Sequence, residues 1–382
     1  EPPDVLARRC LEEYSLRAVF APDVASAHRS GLIRLGNLDA PNRLSGVVLE
    51  SLNIAEDRAG HAWIADAVEN WIGDPPDDAP GLAKAMGDAA DRARVDVWIH
   101  LHPSVPPTPA APSGPLFASV ARSETATTDR WIAALAGFGK RLLPIWHWHG
   151  PAAEQAVFLE AGRRLGGRGG VIFDRPRRPF VLSRGTNRER PAVLQEIELD
   201  LPRLLDVPEI EGRAERLLEK LPSLARLAIS AAGQKRKYLR RHAEHLGRAF
   251  LLDRAVVRLI PVGLDAVVRR MMGVGVTETK LARGFGRRIL AALADPLDAE
   301  HRRSGLNLSL AAPCEPIEIA GDDARSRLTA WSEIVRGHTD GVLTFAWPVP
   351  PKDRPIELLP LLEFVHEETD IVGFVWQADG DR

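Results

Sequence analysis

Apolar residues recur at helical spacing in several parts of the chain, which predicts a series of amphipathic helices. The predicted helices cover residues 4–30, 61–72, 80–94, 128–139, 151–165, 212–246, 263–272 and 277–294. Pro22 suits the first turn of a second short helix within the first range, with Gly31 at its end. Pro222 predicts a break inside the 212–246 region, because proline removes a backbone donor.

Short apolar runs and alternating segments predict strands between these helices. The predicted strands cover residues 95–102, 141–149, 171–173, 194–201, 305–311, 341–347 and 370–376. Strands separated by helical stretches are typical of an α/β barrel or a wound sheet. The chain has 382 residues and is 45% hydrophobic, which is enough for one large domain or two ordinary ones.

The charge and cysteine content exclude several classes of protein. With 50 basic and 52 acidic residues, the chain has no general attraction to nucleic acid or to an anionic membrane. It has no apolar run of about 18 residues, so we expect no transmembrane helix, and its first residues do not resemble a signal peptide. Its two cysteines exclude a disulfide framework and a four-cysteine metal site, so we expect a reducing, cytoplasmic setting.

Four segments, in order, carry a resemblance to a known family. They are PDVASAHRSGLIRLGNLD at 22–39, IELDLPRL at 197–204, LIPVGLDAVVRRMMG at 259–273 and LSLAAPCE at 308–315. Together they resemble landmarks of the anaerobic, glycyl-radical ribonucleotide reductases, and HTDGVLT at 338–344 resembles a later one. Residues 50–190 contribute little to the resemblance.

The resemblance implies an α/β fold: a ten-stranded barrel like that of glycyl-radical enzymes, with surrounding helices. Its two halves would run antiparallel, with a finger loop through the centre. It implies one domain over residues 1–382, with a helical N-terminal part at about 1–94 and without the family's C-terminal radical and zinc region. It also implies a nucleotide ligand and a homodimer, or a companion protein chain.

The chain departs from the family in its catalytic parts. The family passes a radical from a glycine to a finger-loop cysteine, but no cysteine lies between Cys10 and Cys314. Arg34 and Gly36 stand where the family has paired histidines, and no radical-glycine motif precedes Arg382. We therefore expect a homologue without radical catalysis that binds a nucleotide or regulates another protein. No cofactor is certain on this hypothesis.

The resemblance also selects candidate site residues. Cys314 and Glu315, in the fourth segment, are candidates for chemistry near the barrel mouth. Cys314 is either a relocated reactive thiol or a small residue that fills space. The same resemblance assigns a ligand pocket to four residues: Asp39, Arg203, Ser309 and His338.

Two His-x-His pairs support a different hypothesis. His100 and His102 lie on one predicted strand, and His147 and His149 lie on another. Residues i and i+2 of a strand share a face, so the four imidazoles could hold a metal ion that activates water for hydrolysis. Histidines that are only hydrogen bonded or solvated are the alternative. A third hypothesis is a scaffold that binds another protein.

Overall fold

The computed structural model describes the chain in several ranges, which are separated by undescribed segments. The described residues are 2–49, 95–101, 141–148, 169–173, 192–210, 212–243, 252–315, 317, 323–346 and 358–377, with single positions between 84 and 91. The predicted helices at 61–72, 128–139 and 151–165 lie outside these residues, as does most of the predicted helix at 80–94.

Ten strands and eight helices occur in the described residues. The strands are β1 Ile33–Leu35, β2 Gly46–Leu49, β3 Asp96–Leu101, β4 Leu142–Trp148, β5 Gly170–Phe173, β6 Ala192–Asp200, β7 Val256–Val262, β8 Asn307–Leu310, β9 Val342–Ala346 and β10 Gly373–Gln377. The helices are α1 Pro3–Ala18, α2 Pro22–Arg29, α3 Leu201–Leu205, α4 Ala214–His242, α5 Leu264–Met272, α6 Lys280–Ser304, α7 Ala324–Val335 and α8 Leu358–Glu368. No described helix is long and apolar enough to cross a bilayer.

The strands form one curled sheet in two antiparallel sets. Its order is β8-β7-β6-β2-β3-β4-β5-β10-β9, with β1 also paired to β6. Strands β2 to β5 are mutually parallel, as are β6 to β8 and the pair β9 and β10. The two sets meet in antiparallel pairs at β2 with β6 and at β5 with β10. This arrangement confirms the predicted α/β fold of the glycyl-radical-enzyme type.

Strands β1 and β2 are two parts of one interrupted strand along β6. Ile33 pairs with Leu199, and Gly46 pairs with Val193 further down the same edge. Between them, the amide of Gly36 donates to the carbonyl of Glu196. The chain therefore brings β1 and β2 into the sheet within the region that the sequence predicts as helical.

Two apolar clusters identify the two faces of the sheet. The larger cluster joins every second strand residue, such as Val97, Ile197 and Leu259, to the helices. The smaller one contains only strand residues: Trp98, Ile145, Ile172, Val193 and Val256, with Leu143 packed against them. Successive strand residues point to opposite faces, and the helices pack against the face that carries the larger cluster. The smaller cluster therefore lies on the other face, which is the inner, concave face of the sheet.

The structure confirms most predicted elements and corrects some. Helix α4 runs without interruption through Pro222, because the buried residues Leu221 and Leu224 on either side hold it against the core. Helix α6 continues to Ser304, about ten residues beyond its predicted end. Strand β7 was not predicted as a strand, although VVRLIPV alternates in burial along most of its length.

Helix α4 carries one fully buried cation. The Lys235 ammonium donates to the carbonyl of Pro41 over 2.6 Å, and its side chain is buried against the segment between β1 and β2. Burial lowers the pKa of Lys235 to about 7, because an ammonium loses its hydration there. Folding is therefore linked to the loss of a proton by this lysine.

We predict that Lys235→Met removes part of the pH dependence of stability. The pKa of Lys235 is lower in the folded chain than the usual 10.5, so the unfolded chain binds more protons between pH 7 and 10.5. Wild-type stability should then rise with pH across that window, on the order of 3 kcal/mol in total from this group. Urea unfolding at pH 7 and pH 9.5 measures the rise. An equal rise in the variant would contradict the assignment.

Candidate functional site

One end of the inner face is lined by charged side chains. On β6, Glu196, Glu198 and Asp200 alternate with Ile197 and Leu199, which belong to the outer core. The carboxylates therefore face the inside of the curled sheet, beyond the apolar layer that contains Val193. We call this charged region the polar end of the barrel.

Arg258 of β7 lies between two carboxylates at the polar end. Its Nη1 is 2.8 Å from Oε1 of Glu196, and its Nη2 is 3.2 Å from Oδ2 of Asp340. Burial opposes the charge on Arg258, but Glu196 and Asp340 outweigh it and raise the pKa of the guanidinium. The cation therefore stays charged and links three strands, since Asp340 comes just before β9.

Asp340 also makes backbone contacts across the ends of β8 and β9. Its Oδ1 accepts from the amide of Ala312 at 3.0 Å and from the amide of Val342 at 3.1 Å. Its own amide donates to the carbonyl of Leu310. Asp340 thus joins the end of β8 to the start of β9, which are not neighbours in the hydrogen-bonded order of the described strands.

A second, more exposed pair of charges lies at the same end. Arg34 of β1 is 3.5 Å from Glu198 and 3.3 Å from Asp200, and its side chain is 60% exposed. Partial burial raises the pKa of Glu198, Arg34 lowers it, and Glu196 and Asp200 raise it further. Glu198 remains 43% exposed, so a ligand could reach it.

Asp96 and Arg141 form a third pair at the starts of β3 and β4. Arg141 Nη1 is 2.7 Å from Oδ1 of Asp96. Burial raises the pKa of Asp96 to about 6, although Arg141 opposes the shift, and nearby Glu196 adds to it. Asp96 therefore changes its charge close to neutral pH.

Cys314 also belongs to the polar end. Its Sγ is 3.9 Å from the Thr344 hydroxyl, and its amide donates to the carbonyl of Pro261. Although the residue is exposed, the protein around the thiol limits its hydration and raises its pKa, and Glu198 and Glu196 add to the increase. The thiol therefore stays protonated at neutral pH, which makes it a weak nucleophile.

Glu315 has a structural contact that the sequence did not predict. Its carboxylate accepts from the amide of Asp265 at 3.0 and 3.2 Å, at the first turn of α5. Burial raises the pKa of Glu315 to about 7, while the amides of Asp265, Leu264 and Gly263 oppose the shift. A carboxylate at this position satisfies helix N-terminal donors and interacts favourably with the helix dipole.

The structure separates the four residues assigned to a ligand pocket. Ser309 is on the inner face of β8, and His338 lies two residues before Asp340. Asp39 instead pairs with Arg8 of α1 at 3.1 Å, and Arg203 lies exposed on α3, 3.8 Å from Asp206. Ser309 therefore lies at the polar end together with Cys314. Asp39 and Arg203 instead form ion pairs elsewhere, Asp39 with Arg8 and Arg203 with Asp206.

The structure tests little of the metal hypothesis. His147 is buried on the inner face of β4. His100 of β3 is in register with Ile145 of β4. His102 and His149 lie outside the described residues. Within the described part of the chain, no group of three or more His, Cys, Asp or Glu is placed to hold a metal ion.

Sequence reasoning missed the central residues of the polar end. Arg258, Glu196, Asp340 and Glu198 were not among the candidates, although two sequence signals mark them. Glu196, Glu198 and Asp200 alternate with Ile197 and Leu199 along the strand, and Arg258 interrupts an apolar run. Charges on the alternating face of a buried strand indicate a charged interior.

We predict that Arg258→Met destabilises the fold by about 3 kcal/mol, because Glu196 and Asp340 lose the cation between them. Chemical denaturation of the variant measures the loss. The matched control is Arg216→Met, since Arg216 forms an exposed pair with Glu219 on α4 and its replacement should change stability by less than about 1 kcal/mol. Adding Glu196→Gln to Arg258→Met should recover part of the loss. Equal effects of the two single changes would contradict the role of Arg258.

We also predict that Glu315→Gln reduces the loss of stability between pH 4.5 and 7. The folded-state pKa of Glu315 is raised to about 7, so its contribution is fully present below pH 4.5 and is lost as the pH rises through 7. The glutamine keeps an acceptor for the α5 amides but does not titrate. Unfolding at pH 5 and pH 8 should show a smaller difference in the variant, by up to about 2 kcal/mol. An unchanged difference would exclude Glu315 as the titrating group.

Comparisons with known proteins identify the fold. No protein-family model matches the chain, and no curated protein matches it by sequence. Solved structures do match. The anaerobic ribonucleotide reductase from Thermotoga maritima in complex with dATP and CTP superposes with a TM-score of 0.64 at 12% identity, covering 97% of this chain and 82% of the other.

Two further structures agree. The same Thermotoga maritima enzyme with citrate in the active site gives a TM-score of 0.63 at 12% identity, over 97% and 89% of the two chains. Another anaerobic ribonucleotide reductase gives 0.62 at 11% identity, over 97% and 78%. Identities this low establish the fold alone. The chain therefore has the curled α/β sheet seen in anaerobic ribonucleotide reductases, with a distant structural relationship to them.

Proposed function

We propose that this chain is a divergent homologue of the anaerobic ribonucleotide reductases that binds a nucleotide at the polar end of the barrel without radical catalysis. It would act as a binding or regulatory protein. The observation that carries the proposal is the set of partly exposed acceptors and donors at the polar end, above all Glu198 and Arg34. The anaerobic ribonucleotide reductase from Thermotoga maritima has been solved in complex with dATP and CTP, which supports a nucleotide as the ligand.

The charges at the polar end favour the sugar and base of such a ligand over its phosphates. Five carboxylates face three guanidinium groups: Asp96, Glu196, Glu198, Asp200 and Asp340 against Arg34, Arg141 and Arg258. Ionised carboxylates only accept hydrogen bonds, so they suit ribose hydroxyls and exocyclic amines. Exposed Arg34 is the group best placed to meet a phosphate at the rim.

The positions of the two cysteines support a binding role. Cys10 is exposed on α1, which packs on the outer side of the sheet through Leu16. Cys314 is at the polar end, but its thiol has a raised pKa and contacts Thr344. The resemblance implies a cysteine ahead of Asp200 for radical transfer, and the chain has none there.

The first test is a thermal-shift titration against all ribonucleotides and deoxyribonucleotides, followed by calorimetry of any that shift the protein. A ligand at 100 times its Kd should add about 2.7 kcal/mol of stability. Glu198→Gln should weaken binding about tenfold, because a hydrogen bond to a charged acceptor is worth about 1.5–3 kcal/mol. Glu219→Gln, on an exposed face of α4, is the matched control and should bind as the wild type does.

Three outcomes would overturn the proposal or a part of it. Absence of binding by every nucleotide at millimolar concentration would reject a nucleotide site. Binding that Glu198→Gln and Glu219→Gln leave equally unchanged would reject the polar end as its position. Cys314→Ser should bind normally, and turnover of ribonucleotides that depends on Cys314 would reject the non-catalytic role.

A further inference from the structure

Exposed cations cluster where β7 and β8 begin, at the opposite end of the barrel from the polar end. Helices α4 and α6 both end there, since each is followed by the start of one of these parallel strands. We call this cluster the basic surface. Its members are all exposed and come from three parts of the chain: Lys237, Arg240 and Arg241 of α4, Arg254 before β7, and Arg302 and Arg303 of α6.

Contacts between the three parts place these cations on one surface. Asp253 forms ion pairs with Arg240 and Arg236 of α4. Arg254 follows directly, and its carbonyl accepts from the side-chain amide of Asn307 at 3.1 Å. Asn307 begins β8 and comes three positions after the last residue of α6. The fold therefore brings together cations that are far apart in the sequence, which the overall charge of the chain does not reveal.

The basic surface is positively charged although the chain as a whole is slightly acidic. Among the described residues, three carboxylates accompany its six cations: Asp253, Asp298 and Glu300. Three positive charges remain, in a chain whose formal net charge is -2. Cations in the last turn of a helix interact favourably with its dipole, but Arg254 lies outside the helices and Lys237 precedes the last turn of α4. The helix dipole therefore does not explain the whole surface.

Aromatic rings border the basic surface along α4. Tyr238 and His242 lie one turn apart, and their ring centroids are 4.5 Å apart with an interplanar angle of 33°. The hydroxyl groups of Tyr238 and Tyr14 of α1 are hydrogen bonded to each other, and Tyr14 is 53% exposed. Both tyrosines of the chain thus lie beside Arg241, which is three positions after Tyr238 on the same helix. The rings offer faces for stacking next to the cations.

We propose that the basic surface and these rings bind single-stranded nucleic acid. Five of the six cations are arginines, whose guanidinium groups bind phosphates with two parallel hydrogen bonds. An unpaired base can stack on an exposed ring, whereas the bases of a duplex are already stacked on each other. An acidic polypeptide would match the cations but not the rings. A strand with both phosphates and free bases uses every part of the surface.

This proposal is separate from nucleotide binding at the polar end, because the two surfaces lie at opposite ends of β6 and β7. Either one can fail without the other. Strand binding is therefore measured on the full chain without added nucleotide.

Fluorescence anisotropy with a labelled strand of about 15 nucleotides, made as RNA and as DNA, tests the proposal. If about four cations contact phosphates, binding should weaken roughly fiftyfold between about 50 and 200 mM salt, because each phosphate contact contributes about -0.7 to the salt slope of a single strand. A duplex of the same sequence and polyglutamate are the comparison ligands. Both should bind at least about tenfold more weakly, because neither offers free bases to the rings.

Two pairs of variants locate the site. Arg241→Gln should weaken strand binding about fivefold and reduce the salt slope by roughly 0.7. Arg216→Gln is the matched control, since it removes the same charge from the exposed first turn of α4, and it should leave affinity and slope unchanged. His242→Gln should weaken binding about fivefold by removing a ring, whereas His242→Phe keeps a ring and should bind as the wild type does.

Three outcomes would overturn the proposal. The first is no binding of either strand at about 50 mM salt and 100 μM protein. The second is an equal effect of Arg241→Gln and Arg216→Gln, which would exclude the basic surface as the site. The third is equal binding of the duplex, or of polyglutamate with no effect of His242→Gln, which would identify a partner other than a single strand. Far-ultraviolet circular dichroism of each variant checks that α4 is still folded.

Discussion

The charged interior of the sheet depends on Arg258. A curled sheet with five carboxylates at one end of its inner face needs cations there, because unpaired charges out of water are costly. Arg258 is the most buried of the three arginines that meet them, and it contacts two strands besides its own. Its partner Asp340 then connects β8 to β9 through backbone amides, at the point where the described sheet has its two edges. The same ion pairs therefore balance the interior charge and hold the two edges together.

This arrangement divides the polar end into structural and accessible groups. Asp340 and Glu196 are occupied by Arg258, and the Asp340 side chain is only 6% exposed. Arg34 and Glu198 form a longer, more exposed contact, and a long exposed ion pair contributes little to stability. Such a pair can exchange its contacts for those of a ligand at low cost. The accessible part of the polar end is therefore the side nearest β1.

The sequence predicted the fold better than the site. Periodicity located most strands and helices, and the four ordered segments identified the sheet type, because local patterns reflect which face of each element is buried. The missed elements have physical reasons. Strands β1 and β2 are three and four residues long, too short to show a period. Pro222 suggested a break, but tertiary packing of Leu221 and Leu224 keeps α4 continuous, since a proline costs a limited amount that burial can offset.

The site was harder to predict because its residues come from distant parts of the chain. Arg258 is 62 positions from Glu196 and 82 positions from Asp340 along the chain, so no local sequence motif contains the two ion pairs. The resemblance selected Asp39 and Arg203 instead, whose contacts are with Arg8 and Asp206. A motif transfers the order of residues along the chain, whereas a site depends on which strands become neighbours. Knowledge of the β6–β7 pairing alone would have placed Glu196 beside Arg258.

The acidic side chain of Glu315, which lies in a segment that resembles the family, is explained by its structural contact with α5. The turn at Gly263, with φ +81°, packs against Pro202 and exposes the first amides of α5, which need acceptors. Glu315 supplies one, and this contact fixes the 311–315 segment across the end of β7. Cys314 is thereby held beside Thr344, because the amide of Cys314 and the carboxylate of Glu315 are both anchored. The position of the thiol at the polar end thus follows from helix capping, and catalysis is not needed to explain it.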